Sequence, residues 1–162
     1  LLLRKSELRP RLVVAGKQGW LNEELYAEIG RLGLSGQIHF TGYVSDEDLC
    51  ALYTACAVCI YPSLYEGFGL PPLEAMRCGA PVVASRIASI VETAGEQSAR
   101  LLPPTDAEAL AANVAELLAD VNLRRRLSEA GLARAQEFSW EKTARATLEV
   151  YREAARRKGV AK

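Results

Sequence analysis

The sequence predicts an α/β domain, a parallel sheet with helices on both faces, followed by an all-helical C-terminal segment. Three observations predict it. Short apolar, β-branched runs alternate with longer stretches of helical spacing as far as Leu102. That alternation calls for right-handed crossovers and therefore for parallel strands. Beyond Pro103-Pro104 the strand pattern stops and only helical patterns follow.

The elements can be justified in order. Arg11-Leu12-Val13-Val14-Ala15-Gly16 is β-rich and ends on glycine, so it reads as a buried strand. From about residue 21 to 32 the spacing is helical, with Leu21, Leu25, Ile29 and Leu32 on one face. Ile38-His39-Phe40 is a second strand. Ser45 caps the next helix, whose first turn holds Asp46, Glu47 and Asp48 over the positive helix end; Leu49, Leu52 and Tyr53 form its apolar face. Residues 57–61 make a third strand. A helix over 71–77 begins with Pro71 in its first turn, where a missing amide costs nothing, and stops at Gly79. A fourth strand covers 81–84, a short helix 89–93 and a fifth strand 99–102. Thr105 and Glu108 are spaced as a capping box, and helices are expected over 106–119, 122–136 and 139–157. The whole reads as a three-layer, Rossmann-like domain. Ligands of such sheets bind at the carboxyl ends of the strands, which directs attention to the loops after residues 15, 40, 61 and 84.

Composition narrows the function classes. The 162 residues suit one domain, and 49% hydrophobic with 25% charged residues suits a globular one. Lys+Arg and Asp+Glu both number 20, so the net charge of zero offers no general attraction to nucleic acid or anionic membrane. No apolar run approaches the roughly 20 residues that span a bilayer. The opening Leu1-Leu2-Leu3-Arg4-Lys5 is too short for a signal peptide. It reads as the tail of a helix, so the chain is expected to be a fragment or excised domain. Cys56 and Cys59 have C-x-x-C spacing but lie in an apolar run; with Cys50, Cys78 and the lone His39 they do not make a zinc ligand set. They are read as structural thiols of a protein in a reducing cytoplasm. Arg156-Arg157-Lys158 reads as a solvated helix end, with contact to lipid or a partner as the alternative.

One loop carries chemistry. It runs Tyr61-Pro62-Ser63-Leu64-Tyr65-Glu66-Gly67-Phe68-Gly69-Leu70-Pro71-Pro72-Leu73-Glu74. Glycines either side of Phe68 let a ligand approach the backbone. The loop enters a helix N-terminus, which favours an anion such as phosphate. Carboxylates accept hydrogen bonds only, so Glu66 and Glu74 suit hydroxyl-rich groups such as a sugar and a ribose. Together these describe a sugar nucleotide. A Gly- and Pro-rich turn with merely exposed glutamates has the same composition, and G-x-G alone is weak evidence.

Glu66 through Met76 resembles the E-x7-E signature of the retaining family 4 glycosyltransferases, which have the GT-B fold. Phe40-Thr41-Gly42-Tyr43-Val44, Leu52-Tyr53, Tyr61-Pro62-Ser63, Gly79-Ala80-Pro81-Val82-Val83-Ala84 and Phe138-Ser139-Trp140 fall in that family's order, so the resemblance covers essentially residues 1–162 as its C-terminal, donor-binding domain. It implies that Glu66, the candidate catalytic residue, bonds hydroxyls of the donor sugar. Amides around Gly67, Phe68, Gly69 and Leu70 would hold sugar and diphosphate, and Glu74 the ribose. Gly42, Tyr43 and Val44 would edge the base, while Gly16 and Lys17 would face the diphosphate. It implies further that the acceptor domain, the first strand of the donor domain and the usual diphosphate-binding Arg and Lys lie upstream. Val91-Glu92-Thr93-Ala94-Gly95 keeps only the Glu of the family's Pro-Glu before Val-x-Gly, and Pro103 stands where Asp is frequent.

The implied reaction transfers a hexose from a nucleotide diphosphate to a glycan or lipid-linked acceptor, in bacterial-type polysaccharide or glycolipid synthesis. Charge growing on the leaving phosphate would be met by the helix end. No metal or cofactor is expected, since the acidic run Asp46-Glu47-Asp48 is read as the first turn of a helix and not as a metal-binding cluster. Val14-Ala15-Gly16-Lys17-Gln18-Gly19-Trp20 resembles mannosyltransferase-like members, which suggests GDP-mannose as donor. The expected location is cytoplasmic, with peripheral association at the inner membrane as an option. The fragment alone is expected to bind donor weakly and transfer nothing. Alternatives are a noncatalytic nucleotide-binding module, or another GT-B enzyme such as a sugar-nucleotide epimerase. A dinucleotide-binding dehydrogenase is disfavoured, because Gly16-Lys17-Gln18-Gly19 lacks the G-x-G-x-x-G pattern.

Overall fold

The computed structural model describes residues 2, 10–17, 19 and 23–158. Five strands alternate with helices: β1 Leu12–Ala15, α1 Glu23–Arg31, β2 Ile38–Gly42, α2 Asp46–Ala55, β3 Cys59–Tyr61, α3 Leu70–Arg77, β4 Val82–Ser85, α4 Ala88–Ala94 and β5 Arg100–Leu102. Three helices follow, α5 Ala107–Ala119, α6 Val121–Ala135 and α7 Trp140–Arg157. Every strand pair is parallel, as the alternation requires. Apart from Leu2, the helix tail expected at the start lies outside the described residues, as does Leu21.

The single sheet expected from the sequence is present as two. β1 pairs with β2, and β3, β4 and β5 pair in that order. β1 and β3 therefore each keep one edge without a strand partner among the described residues. β1 is not the buried strand its composition suggests: Val13 and Val14 are 45% and 38% exposed. The same holds for the apolar face of α1, where Ile29 is buried and Leu25 is 48% exposed. An apolar run states what a strand gains by being covered; whether a covering neighbour exists is a property of the whole molecule.

The core sits around β4. Along a strand side chains alternate between faces. Val82 and Ala84 pack with Leu73 and Met76 of α3, Ile90 and Ala94 of α4 and Ala135 of α6. Val83 packs on the other side with Val114 and Leu117 of α5 and Leu127 of α6. Helices on both faces make the expected three layers.

Caps set the helix starts. Ser45 Oγ accepts from the Asp48 amide at 3.1 Å, as expected. α5 is capped by Asp106 and not by Thr105: the Asp106 carboxylate accepts from the Ala109 amide at 2.8 Å. The turn after Pro103-Pro104 explains the shift, because the Asp106 amide is already used on the Pro103 carbonyl at 3.1 Å. Asp120 ends α5 and caps α6, accepting from Asn122 and Leu123. Ser139 caps α7.

α7 has no buried residue, and Trp140, Val150 and Tyr151 are among its exposed apolar side chains. Ion pairs one turn apart line it: Glu141–Arg145 at 2.6 Å, Glu149–Arg152 at 2.6 Å and Glu153–Arg157 at 2.9 Å. Each adds only about 0.2–0.5 kcal/mol. Arg156 and Arg157 both reach Glu153, in keeping with a solvated helix end. No described helix is long and apolar enough to cross a membrane.

Candidate functional site

Within each sheet the chain adds strands outward in sequence order. From β1 the chain moves outward to β2, and from β3 it moves outward through β4 to β5. In open parallel sheets the crevice for a ligand lies where the order reverses, at the carboxyl ends. The loops leaving β1, β2 and β3 start at the carboxyl ends of their strands, and Gly16, Lys17, Tyr43, Val44 and Glu66 to Gly69 lie in them.

After β3 the chain folds back on Glu66. Tyr61 Oη donates to Glu66 Oε1 at 2.6 Å, and Ser63 Oγ lies 2.7 Å from the same oxygen. The Ser63 hydroxyl also lies 3.0 Å from the Tyr65 carbonyl, so its one proton serves either acceptor. These two donors hold the Glu66 carboxyl below its ordinary value of 4.5, the tyrosine contributing most. The Glu66 carbonyl accepts from Ser89 Oγ of α4 at 3.1 Å. The side chain is thus an ionised, oriented acceptor with Oε2 left over. Tyr61 in turn ionises only near 12, chiefly through burial and then through its bond to Glu66.

Gly69 closes the loop. It has φ +88°, and a Cβ there would lie 3.3 Å from Ile90 Cγ1 and 3.5 Å from Thr93 Oγ1. Left-handed backbone pressed against α4 leaves glycine as the residue that fits. α3 begins one residue earlier than predicted, at Leu70, so Pro71 and Pro72 both fall inside its first turn. Proline has no N–H. The helix end therefore offers an anion few amides of its own, and the donors shift to the loop. Among the described residues the amides of Gly67, Phe68 and Gly69 make no backbone hydrogen bond, and the Leu70 amide, at the first helical position, lacks an intrahelical partner.

Glu74 lies on the exposed side of α3. Its charge reaches Tyr53, Tyr61 and Cys78, adding to the burial that already raises all three. Both signature carboxylates therefore flank Tyr61. Phe68, half-exposed, meets Phe138 edge to face at 6.2 Å between centroids. Arg134 lies 5.0 Å over the Phe138 ring and donates to the carbonyls of Thr93 at 2.9 Å and Glu92 at 2.5 Å. A cation on α6 thus fastens the end of α4 and, through one aromatic, the loop that carries Phe68. This support was not foreseen from sequence; Phe138-Ser139-Trp140 was the only hint of it. The Glu92 segment, which keeps only the Glu of the family's Pro-Glu pattern, is the last part of α4, closed by Gly95 at φ +73°.

The second group of predicted residues gathers after β1 and β2. The Gly16 amide donates to the Gly42 carbonyl at 2.9 Å, joining the two loops. Lys17 and Tyr43 are exposed and Val44 is half-buried. No hydrogen bond or ion pair joins this group to Glu66 and its neighbours among the described residues. His39 is exposed on β2. No group of three His, Cys, Asp or Glu suited to a metal occurs among the described residues. A cavity of about 110 Å3 lies elsewhere, at the ends of β4 and β5, lined in part by Pro62, Ser85, Pro103 and Thr105. Among and beside the predicted donor residues, Tyr43, Leu64, Tyr65, Phe68 and Leu70 are exposed apolar side chains.

Comparison with known proteins identifies relatives of the chain. The sequence model of the family described as "Glycosyl transferases group 1" matches residues 1–134. The O-antigen chain mannosyltransferase B of Escherichia coli is 40% identical over 152 residues, which is 94% of this chain and 40% of that protein. The MMP alpha-(1->4)-mannosyltransferase of Mycolicibacterium hassiacum is 44% identical over 135 residues, 82% of this chain and 32% of that protein. Among solved structures, the sucrose-phosphate synthase of Thermosynechococcus elongatus superposes with a TM-score of 0.81 at 34% identity, covering 89% of this chain and 38% of the other. The chain therefore spans less than half the length of these relatives.

Proposed function

The chain belongs to the glycosyl transferases group 1 family, and from that premise we propose that it is the donor-binding domain of a retaining, family 4 hexosyltransferase. It binds a nucleotide-diphospho-sugar, and the complete protein passes the hexose to a glycan or lipid-linked acceptor on the cytoplasmic side. The observation that carries this reading is the Glu66 carboxylate, pinned by Tyr61 and Ser63, beside loop amides with no backbone acceptor. In this reading Glu66 Oε2 accepts from sugar hydroxyls, the amides of Gly67 to Leu70 receive the diphosphate, and Glu74 binds the ribose. Gly16, Lys17, Gly42, Tyr43 and Val44 complete the site from the other sheet, towards diphosphate and base.

The chemistry follows from these roles. Cleaving the anomeric bond leaves negative charge on the diphosphate, and preorganised donors stabilise that charge without reorganising. With two prolines in the first turn of α3, this chain supplies mostly loop amides. Further cations would come from outside the described residues. A mannosyl donor is supported by the two mannosyltransferase relatives, and GDP as its carrier follows only from the resemblance of residues 14–20 to mannosyltransferase-like sequences. The acceptor domain of the reading is supported by the share of those relatives that the chain leaves unmatched, and by the exposed apolar residues of α7.

The test is calorimetric titration of the protein with GDP, UDP, ADP and their mannose and glucose conjugates, repeated on Glu74→Ala. One nucleotide should bind selectively, with affinity lowered about ten- to hundred-fold in the variant, as expected for losing a hydrogen bond to a charged acceptor. Equal binding by the variant would remove Glu74 from the site. No binding by any nucleotide, repeated with a polypeptide extended upstream, would overturn the donor-domain reading.

A further inference from the structure

The C-x-x-C cysteines draw attention in the sequence, yet a different pair meets in the fold. Cys50 on α2 and Cys78 at the end of α3 are 28 residues apart, with their sulfurs 3.3 Å from one another. Both are free thiols, and Cys50 is exposed. Cys56, by contrast, donates its thiol to the Tyr53 carbonyl at 3.2 Å, and burial pushes Cys59 up to about 12. A disulfide requires a sulfur separation of about 2.05 Å, so the Cys50 and Cys78 sulfurs need only close a little over an ångström. The side chains project from two helices already packed on one another. Cys78 is also tied to the helix that carries Glu74, since its amide donates to the Glu74 and Ala75 carbonyls at 3.1 Å.

We propose that Cys50 and Cys78 form a reversible disulfide that fastens α2 to the C-terminal end of α3, one turn beyond Glu74. The oxidant is a small-molecule disulfide such as oxidised glutathione. Cys50, solvent-exposed, attacks first as thiolate; one glutathione leaves as thiolate and a mixed disulfide forms on Cys50. Cys78, held up to about 11 by burial and by its contact with Cys50, is the slower, resolving thiol. It loses its proton, attacks the Cys50 sulfur and releases the second glutathione. Two protein thiols are oxidised by two electrons, one glutathione disulfide is reduced to two thiols, and both protons end on glutathione.

The experiment treats the reduced protein with oxidised glutathione, blocks residual thiols with N-ethylmaleimide and maps the peptides by mass spectrometry. The expected product joins the Cys50 and Cys78 peptides, is lighter by the two thiol hydrogens, is reversed by dithiothreitol and melts several degrees higher than the reduced form. Cys78→Ser should instead trap glutathione on Cys50, and Cys50→Ser should leave Cys78 labelled by maleimide. Stable glutathione on Cys50 of the unsubstituted protein with Cys78 labelled, or a link between Cys56 and Cys59 in its place, would overturn the proposal.

Discussion

A carboxylate that must meet hydroxyls needs a fixed direction more than it needs burial. Glu66 is part-exposed, and one of its oxygens is occupied by Tyr61 and Ser63. The two donors favour its charged form, which is why its carboxyl sits below the ordinary 4.5. A depressed pKa in the folded state contributes stability that is present above the ordinary value and lost as pH falls through the folded one. Tyr61→Phe should therefore raise the Glu66 carboxyl pKa, read by carbon-detected NMR titration, and flatten the loss of stability in the window below 4.5. An unchanged titration would mean that Tyr61 does not orient Glu66. The glutamates were legible in the sequence because the E-x7-E spacing is local. The partners of Glu66 were in view too, in Tyr61-Pro62-Ser63, but hydrogen bonds across a turn depend on its path and not on its composition.

Among the elements, the contact between α3 and α6 does most to hold the helix that carries Glu74. Gly131 of α6 is buried against Met76 of α3, and a Cβ at Gly131 would lie 3.1 Å from Met76 Cγ and 3.5 Å from its Cβ. Gly131→Val should thus overpack the interface and destabilise the domain by about 1–3 kcal/mol, measured as a lower urea midpoint at unchanged slope. An unaltered midpoint would show that the helices are not packed this closely. Glycine in mid-helix normally costs stability; here it admits a neighbouring helix. Nothing in the spacing of α6 announces this, because the partner lies 55 positions earlier in the chain. Helix ends were read better. Ser45 caps as expected, Ser139 caps the last helix one residue before its first turn, and the misplaced cap, Thr105 for Asp106, differs by a single residue where two prolines shape the entry.

At the scale of the molecule, the edges of β1 and β3 that have no strand partner among the described residues are the main departure from a finished α/β sheet. The exposure of Val13 and Val14 supports a further parallel strand of the complete protein between them. That strand would join the two sheets and bring the Gly16 and Glu66 loops to one sheet edge. Two measurements test this. In a polypeptide extended upstream, the β1 amides should gain hydrogen-exchange protection relative to the 162-residue chain. The extended protein should also transfer a hexose to acceptor, whereas the chain alone should not. Unchanged protection would leave β1 an edge, and transfer by the chain alone would remove the need for a second domain.

What the sequence by itself determined is what depends on neighbours along the chain. Strand and helix alternate because apolar periodicity does; helices begin at Ser45 and Ser139 because a side-chain oxygen can satisfy the free amides nearby; and the candidate donor loop follows β3 because two glycines and two glutamates are spaced for it. What only the tertiary structure decided depends on residues far apart in sequence. It divided the strands into two sheets, left β1 exposed, and set the proline-bearing start of α3 so that loop amides replace helix amides. It also brought Arg134 to the end of α4, Phe138 to Phe68 and Cys50 to Cys78. The physical reason is the same throughout: local patterns record which groups need a partner, whereas the partner is chosen by how the whole chain packs.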